Sequence, residues 1–459
     1  MRIDVPWGTG TVPVDIDSQR VGGVLTAKTE RATDPGGALR RALDESRPTF
    51  REFLEHAPSP MLVIANDATR PTPTAAVMRL IAGDLERWLA GGEDGANADP
   101  AAGADSGAGE SPAAGPNPGA GAPQARGREL AFVVATGTHR VASPQELVTI
   151  FGEEVAEKHA DRIFSHDCKD RDSLVFAGET SRGNQLWVNR LLTEARSVIS
   201  INSVEPHYFA GYTGGRKSLF PGLAGYDTVK FNHMHSLHDG SDTLILEGNP
   251  VHEDLDEATR LVSRDKHLYS IQLVLDEDHG IGFAAAGALE ESFRKAVAVA
   301  DRQFVLDLDE AYDIVVSVAP HPMDCNLYQT NKAIRSGALA LKPGGVLIVV
   351  SECPHGLGDN TTLVDLLAAA DSPDQVLDDA TRSEYKLGLQ QATGIARVLQ
   401  QGDIWIVSSL SPEQMRSIFF LPFTSVQAAV DAALLKKGPG AKVLFLLESS
   451  ITVPRVRAS

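Results

Sequence analysis

The chain has 459 residues, of which 42% are hydrophobic and 22% charged, and its formal net charge at pH 7 is −19. Its length allows two domains of ordinary size, and its composition is that of a soluble globular protein. The strong negative charge disfavours nucleic acid or an anionic membrane as the main partner. No run approaches the roughly 18 apolar residues of a membrane span. The N-terminal segment shows no signal-peptide pattern, so we expect a cytoplasmic protein.

Short apolar runs rich in β-branched residues alternate along the chain with helical patterns. Strands are predicted from runs that begin at residues 61, 130, 197, 313, 345, 403 and 442, and helical patterns include residues 75–89, 289–304 and 425–437. Continuously apolar strands that alternate with helices indicate parallel sheets covered on both faces. We therefore predict an α/β protein with mainly parallel sheets, built from two α/β domains that comprise residues 1–303 and 304–459.

The segment from residue 91 to residue 127 contains no Val, Ile, Leu, Met or aromatic residue. Such a segment cannot bury enough apolar surface to offset the entropy lost on ordering. It lies between a predicted helix and a predicted strand of the N-terminal domain. We predict a disordered Gly/Ala/Pro-rich insertion in a surface loop.

The three cysteines, Cys168, Cys325 and Cys353, are few, odd in number and without a C-x-x-C pair. This argues against a disulfide framework and against a thiolate zinc site.

Polar residues that could carry chemistry follow four of the predicted strands. They are Asp67 and Arg70, then Thr138, His139 and Arg140, then Glu205 and His207, and last Asp324, Tyr328, Gln329 and Lys332. Ligands of open parallel sheets bind beyond the carboxyl ends of the strands. Together these residues predict an active site in the crevice between the two domains. Taken singly, Thr-Arg-Pro-Thr-Pro is also compatible with a helix start, and His139 with a structural histidine.

The loop PHYFAGYTGGRKSLFPG, residues 206–222, places two glycines beside two cations. It nearly matches the P-loop pattern GxxxxGK[ST], but Arg216 occupies the place of the required glycine, and the loop does not directly follow a strand. We therefore disfavour a P-loop. The backbone N–H groups of Gly214 and Gly215, beside Arg216 and Lys217, still predict a cradle for a phosphate or a carboxylate.

The run HMHSLH contains His233, His235 and His238 and invites a metal interpretation, because imidazole is the commonest metal ligand. Cysteines and a second carboxylate cluster are missing from this run. Three such histidines are more often solvated or partly buried side chains without a metal.

The chain resembles the lactate racemase family, whose members are 2-hydroxyacid racemases and epimerases that use a nickel-pincer nucleotide. The resemblance covers nearly the full length apart from the insertion. The motifs that carry it are D-x-T-R-P-x-P from Asp67 to Pro73, A-T-G-x-H-R from Ala135 to Arg140, H-x-F-A-G-x-x-G-G-R-K-S from His207 to Ser218, N-H at Asn232 and His233, and P-x-D-x-N-x-Y-Q-x-x-K from Pro322 to Lys332.

The resemblance implies a cofactor, pyridinium-3,5-bisthiocarboxylic acid mononucleotide nickel, attached covalently through a thioamide at Lys217. His233 matches the family's single protein ligand to Ni(II), which the cofactor otherwise holds through carbon and sulfur. His235 and His238 match no family residue. Cofactor-synthesis proteins are implied as partners. The other implied cofactor contacts are Asp67, Gly214, Gly215, Arg216, Ser218, Tyr328 and Gln329.

The family's chemistry implies inversion at C2 of a 2-hydroxyacid by hydride transfer through a 2-oxoacid. His139 and His207 match the two acid/base residues, one for each substrate enantiomer. Arg70 is the candidate that binds the substrate carboxylate bidentately. Lys332 would position the substrate or the cofactor from the C-terminal domain. Asp67 is interpreted as an orienting group or cofactor contact rather than a base.

The chain departs from the family's lactate racemase where that protein has a tryptophan in a C-terminal helix. The equivalent residue here is Gln390, in KLGLQQATGIARVL. This favours a longer or more polar acid than lactate, such as malate, 2-hydroxyglutarate or an aldonate. A second carboxylate would need another cation, for which Arg140 and Lys332 are candidates. In the alternative interpretation Gln390 faces solvent.

Two other function classes compete with the racemase hypothesis. The first is a non-catalytic carrier of nickel or of the pincer nucleotide, which would have no use for two acid/base histidines. The second is a hydrolase or phosphotransferase that uses the basic loop as a phosphate clamp, which the broken P-loop pattern disfavours.

Overall fold

The computed structural model describes residues 1–28, 31–91, 127–358, 361–382 and 385–457. The insertion predicted at residues 91–127 therefore lies, except for its first and last residues, outside the described residues. All seven strands predicted from the apolar runs are present, and most of them pair in parallel. The predicted α/β class with mainly parallel sheets is confirmed.

The first large sheet is formed by residues before position 288. Its strands lie in the order Ile281–Gly287, His267–Leu275, Ser197–Ser203, Met61–Asn66, Leu130–Ala135 and Ile163–Ser165. All neighbours are parallel except the first pair, which is an antiparallel hairpin. The two central strands are buried at every position. Burial on both faces explains why their sequences are continuously apolar or small rather than alternating.

The second large sheet is entirely parallel. Its strands lie in the order Leu421–Phe423, Gly402–Val407, Leu341–Val350, Tyr312–Val318, Val443–Leu446 and Val21–Leu25. Four short two-stranded ribbons complete the β-structure of the described residues. They pair Arg2–Trp7 with Gly10–Asp15, Leu174–Glu179 with Gln185–Asn189, Pro206–His207 with Gly211–Tyr212, and Val305–Leu308 with Val453–Val456.

Helices cover both faces of the first sheet, and the second is covered by helices on one face and by a helix and the N-terminal ribbon on the other. The α-helices are Pro35–Glu45, Phe50–His56, Thr74–Ala90, Pro144–Phe151, Glu153–Lys158, Arg190–Glu194, Tyr226–Met234, Pro250–Ser263, Leu289–Phe304, Leu327–Ala338, Thr362–Ala368, Pro373–Arg382, Leu389–Gln401, Pro412–Ser417 and Val426–Lys437. The 3₁₀ turns are Ser18–Arg20, Ala160–Arg162, Arg171–Ser173, Gly215–Ser218 and His235–Leu237. Within the described parts of the chain, no helix combines the length and apolar character needed to cross a membrane.

The N-terminal segment packs on the second sheet rather than the first. Val21–Leu25 pairs with Val443–Leu446, and the ribbon before it buries Ile3 and Val5 against Ile314 and its neighbours. The ribbon alternates apolar and polar residues, so it has one apolar face that must be covered. The predicted division into residues 1–303 and 304–459 stays a prediction.

Candidate active site

Residues at the carboxyl ends of strands from both large sheets line one cavity of about 750 Å³. Ten of the thirteen predicted site residues lie on its wall. They are Asp67, Arg70, His139, His207, Gly214, Lys217, His233, Tyr328, Gln329 and Lys332. A crevice beyond strand ends is where open α/β sheets bind ligands, and this volume is typical of small-molecule sites.

His139 is oriented by Asp67, the first residue after the strand Met61–Asn66. The Nδ1 atom of His139 lies 2.6 Å from Oδ2 of Asp67, whose side chain is 9% exposed. Thr69 donates its hydroxyl hydrogen to Oδ1 of Asp67 at 2.9 Å, which fixes the carboxylate. When Nδ1 of His139 donates its hydrogen to this carboxylate, Nε2 carries the lone pair. The carboxylate of Asp67 thus contacts both the hydroxyl of Thr69 and the ring of His139.

His207 lies in the short ribbon that precedes the glycine loop. Its ring stacks on Tyr208 with centroids 5.0 Å apart and meets Phe209 edge-on at 4.6 Å. The backbone N–H of Ala210 donates to Nδ1 of His207 at 3.3 Å. Burial lowers the pKa of His207 well below its usual value, and the nearby charge of Lys217 lowers it further. His207 is therefore a neutral imidazole at pH 7.

Lys217 is the cation of the glycine loop that reaches the cavity. Its Nζ atom lies 5.7 Å from the centroid of the Phe209 ring. Burial lowers its pKa well below the usual lysine value, and the positive charge of Arg70 adds to this effect. A lysine with a strongly lowered pKa carries a larger fraction of the neutral, nucleophilic amine.

The backbone of the loop can turn at Gly214 because this residue has no side chain. Its φ is +74°, and a Cβ atom there would lie 2.5 Å from Cγ2 of Val204 and 2.9 Å from Oε1 of Gln272. The same Gln272 oxygen accepts the N–H of Gly215 at 3.0 Å. The glycine pair thus packs against the first sheet and directs Lys217 into the cavity.

Three predicted cofactor contacts in this loop do not line the cavity. Gly215 is bonded to the sheet, and Ser218 donates to the side-chain oxygen of Asn202. Arg216, whose side chain is 3% exposed, contacts Asp256 at 3.4 Å and Glu290 at 3.2 Å, and its guanidinium lies over the ring of Phe293. Adjacent residues of a tight turn point to different sides, so Arg216 anchors the loop from behind while Lys217 faces the cavity.

His233 lies in the last turn of the helix Tyr226–Met234. Burial, followed by the charge of Lys217, lowers its pKa to about 3, so the imidazole is neutral at pH 7. Its Nδ1 atom lies 3.2 Å from Oδ1 of Asn232. When Nδ1 donates to this oxygen, Nε2 carries a lone pair, which is the form of imidazole that a metal site needs. Among the described residues, no group of three or more His, Cys, Asp or Glu side chains is placed to hold a metal ion.

Two cations complete the polar wall. Arg70 lies 3.3 Å from Oε1 of Glu205. Lys332 projects from the helix Leu327–Ala338, one turn after Tyr328. Burial lowers the pKa of Lys332, and the carboxylate of Glu205 opposes this shift in part. Arg70 and Lys332 lie near a single carboxylate, that of Glu205, so this part of the wall keeps positive charge for an anionic ligand.

Two family models match the chain. The model described as "Lactate racemase N-terminal domain" matches residues 122–244, and that described as "Lactate racemase C-terminal domain" matches residues 308–453. Together these matches cover more than half of the sequence. The chain belongs to the lactate racemase family.

Named relatives agree with this membership. A lactate racemase of Thermoanaerobacterium thermosaccharolyticum is 25% identical over 442 residues, 94% of each protein. A lactate racemase of Lactiplantibacillus plantarum is 27% identical over 461 residues, 97% of this chain and 98% of the relative. These relatives identify the protein as an isomerase of the racemase type.

Two solved structures share the fold. The lactate racemase apoprotein of T. thermosaccharolyticum has a TM-score of 0.84 at 23% identity and covers 99% of this chain and 100% of its own. A protein from Thermotoga maritima has a TM-score of 0.61 at 17% identity, with 90% and 98% of the two chains covered.

Within this family member, Gln390 lies on the cavity wall and is 7% exposed, so the alternative that it faces solvent is wrong. Arg140, one candidate for binding a second carboxylate, is bound by both guanidinium nitrogens to Glu146 and does not line the cavity. His235 is half-buried and His238 is exposed, and neither lines the cavity.

Several polar residues on the cavity wall could not be found from the sequence, among them Asn202, Tyr208, Asn331 and Gln391. Tyr208, Asn331 and Gln391 are each adjacent in sequence to a predicted site residue or to Gln390, and Asn202 lies at the end of a predicted strand. Their neighbours carry the motifs, and an amide or a phenol beside a motif residue has no chemical signal of its own. Only the packing shows that they face the same space.

Proposed function

We propose that this lactate racemase family member inverts C2 of a 2-hydroxycarboxylic acid through a 2-oxoacid, with a nickel-pincer nucleotide as cofactor. The observation that carries the proposal is the meeting of His139 and His207 with Lys217 and His233 on one cavity wall. Two imidazoles that can move a proton, a nucleophilic lysine and a third imidazole suited to a metal are what this reaction requires of the protein.

The described residues fit the cofactor. The amine of Lys217 is buried and has a lowered pKa, as an attachment point needs. His233 offers one neutral imidazole, and no protein-only metal cluster exists among the described residues, so the remaining donors would come from the nucleotide. Gly214, Tyr328 and Gln329 line the same cavity and would contact the nucleotide. When bound, the cofactor supplies an acceptor that takes the C2 hydrogen as hydride and gives it back.

The two histidines would move the hydroxyl proton. Asp67 holds His139 with Nε2 unprotonated, ready to accept a proton. The N–H of Ala210 holds His207 with Nδ1 as acceptor, so its Nε2 carries a hydrogen that can be donated. The ring that accepts the hydroxyl proton of one enantiomer would become an imidazolium, and a proton returns to the oxygen when the 2-oxoacid is reduced. Each ring would thus serve one enantiomer.

The substrate carboxylate would be bound by Arg70, which Glu205 holds in place. Lys332 would contribute a second positive charge from the other side of the cavity. Gln390, hydrogen-bonded on the wall, supports a substrate longer or more polar than lactate. The implied partners are proteins that make the cofactor, and the three free cysteines support the cytoplasm as the compartment.

The test is to produce the protein together with a complete cofactor-synthesis system and to measure intact mass and nickel content. We expect a mass increment of a few hundred daltons (roughly that of a mononucleotide) on the peptide that contains Lys217, and about one nickel per chain. Single enantiomers of 2-hydroxyacids are then screened for inversion. His139→Ala and His207→Ala should abolish inversion and keep the nickel, whereas a carrier would show no inversion in the parent protein. An unmodified Lys217 without nickel, where a relative does load, would contradict the proposal.

A further inference from the structure

One wall of the cavity is formed by the start of the helix Leu389–Gln401 and by the aromatic residues that face it. Gln390 accepts the hydroxyl hydrogen of Tyr385 at 2.7 Å and the N–H of Gly388 at 3.0 Å, both through Oε1. The side-chain oxygen of Gln390 thus already accepts two hydrogen bonds from the protein. Its amide group also interacts with the phenol oxygen of Tyr208.

Gln391 differs from Gln390 because its side-chain oxygen accepts no hydrogen bond from the described residues. This residue is 3% exposed and lines the cavity, and its amide interacts with the phenol oxygens of Tyr208 and Tyr328. Its Oε1 atom has no hydrogen-bond partner among the residues that the structure describes. A buried acceptor without a donor is unfavourable, so native structures rarely leave one unless a ligand supplies the donor.

Asn331, on the helix Leu327–Ala338, is a second buried amide whose side-chain atoms lack hydrogen-bond partners among the described residues. It is 1% exposed and lines the cavity, and within the described parts of the chain neither Oδ1 nor Nδ2 has a hydrogen-bond partner. The helices that carry Asn331 and Gln391 pack against each other. The terminal torsions of asparagine and glutamine are soft, so both amides can turn toward a ligand in the cavity.

The charge of this wall decides which ligand group suits it. Its contact groups are phenols and amides, which are neutral at pH 7. The cation that contacts it, Arg335, lies with its guanidinium over the ring of Tyr208 at 5.9 Å and does not line the cavity. A carboxylate only accepts hydrogen bonds and cannot satisfy the free oxygens of Gln391 and Asn331. A methyl group satisfies neither donors nor acceptors, whereas a hydroxyl group both donates and accepts.

The wall also begins next to the reaction centre. Tyr208 follows His207 in sequence and stacks on its ring at 5.0 Å. A substrate whose C2 hydroxyl meets His207 would therefore direct C3 and later carbons along Tyr208 toward Gln391.

We propose that Gln391, Asn331 and Tyr208 form a subsite for hydroxyl groups on the substrate chain beyond C2. The preferred substrate is then a polyhydroxylated 2-hydroxyacid, rather than lactate or a dicarboxylic acid. This inference rests on the proposed racemase function and names the substrate class of the same site. Turnover of such an acid interconverts two diastereomers that differ only at C2.

The experiment compares three acids with the nickel-loaded protein: lactate, malate and 2,3,4-trihydroxybutanoate. We expect kcat/KM for the trihydroxy acid to exceed those for the other two by roughly tenfold or more, because a buried polar site rejects a ligand that leaves it unpaired. Binding is measured separately, as the shift in Tm that each acid produces in the loaded protein. The trihydroxy acid should produce the largest shift.

The variant Gln391→Leu removes the amide at nearly constant volume. It should lower kcat/KM for the trihydroxy acid by about tenfold through KM and lower kcat/KM for lactate by much less, while the mass increment and the nickel content stay those of the parent protein. Gln400→Leu, an exposed glutamine of the same helix, is the control and should change nothing.

Loss of nickel or of the mass increment in Gln391→Leu would show that this amide serves the cofactor and would overturn the subsite. A loaded parent protein that prefers malate or lactate would overturn it too, while the racemase function would stand. A loaded parent protein that inverts none of the three acids, nor any other 2-hydroxyacid, would remove the racemase function itself.

Discussion

The Nδ1 atom of His139 lies 2.6 Å from Oδ2 of Asp67, and these two residues follow neighbouring parallel strands. Because adjacent parallel strands end at the same edge of the sheet, residues 72 positions apart in sequence are brought within hydrogen-bonding distance. The carboxylate determines which ring nitrogen is protonated. Proton transfer by His139 in the proposed reaction therefore depends on a group that need not touch the substrate.

The variant Asp67→Asn tests this dependence. An amide cannot stabilise the imidazolium that forms when His139 accepts a proton, and it allows the other tautomer. We expect kcat to fall on the order of 100-fold, the usual contribution of a positioned base, with little change in nickel content. Inversion rates, intact mass and nickel are measured together. Asp265→Asn, at an exposed site outside the cavity, is the control, and an unchanged kcat in Asp67→Asn would contradict the orienting role.

The charge of Lys217 holds the pKa of His207 down, second only to burial. Lys217→Met removes this charge, as acylation of the amine would, and leaves the ring buried. We expect the pKa of His207 to rise toward its usual value without reaching it. The measurement is a histidine NMR titration of the apoprotein, in which the ¹⁵N shifts also report the tautomers of His139 and His207. The control Lys436→Met, on the surface, should leave the pKa of His207 unchanged. If the pKa of His207 were the same in Lys217→Met as in the parent protein, the charge of Lys217 would not influence it.

Stability of the apoprotein should decrease as the pH falls below about 6.5. Burial lowers the pKa of His233 and of His252 to about 3, with Lys217 and Arg216 as the next causes. Between pH 6.5 and 3 the unfolded chain binds protons that the folded chain excludes, so the free energy of unfolding falls with falling pH. At pH 5, each of these two histidines should have lowered the free energy of unfolding by up to about 2 kcal/mol relative to neutral pH.

The measurement is denaturant unfolding of the apoprotein from pH 7.5 to pH 5. His252→Gln keeps an acceptor for Arg216 and removes one titrating group, so its stability should depend less steeply on pH. His238→Gln, at an exposed position, should follow the parent curve. A parent curve that stays flat across this range would refute the buried neutral state.

Gly214→Ala should destabilise the cofactor loop, because the backbone has φ +74° and the new Cβ would lie 2.5 Å from Val204. We expect a loss of about 2–4 kcal/mol in the free energy of unfolding and less nickel bound. The matched control is Gly83→Ala in the helix Thr74–Ala90, where a Cβ meets nothing within 4 Å. That variant should gain about 0.5–1 kcal/mol. Equal stabilities of the two variants, measured by denaturant unfolding, would disprove the steric argument.

The sequence alone determined the class of the fold and the approximate position of the site. Continuously apolar strands such as Met61–Asn66 can only be covered on both faces, so the α/β class followed from composition and spacing. The residues that follow those strands, including Asp67, His139 and His207, then had to lie at one edge of a sheet. Local rules suffice for these features because each depends on a short stretch of chain.

The tertiary structure alone decided which residues of a motif face the cavity and which face the interior. Arg216 and Lys217 are adjacent cations with the same local signal, yet the former is held by Asp256 and Glu290 behind the loop. The strand Val21–Leu25 joins a sheet whose other strands lie some 290 residues later or more. Both outcomes depend on contacts between segments far apart in sequence. A local sequence pattern does not reveal which distant segments will contact each other, so these contacts are known only from the packed structure.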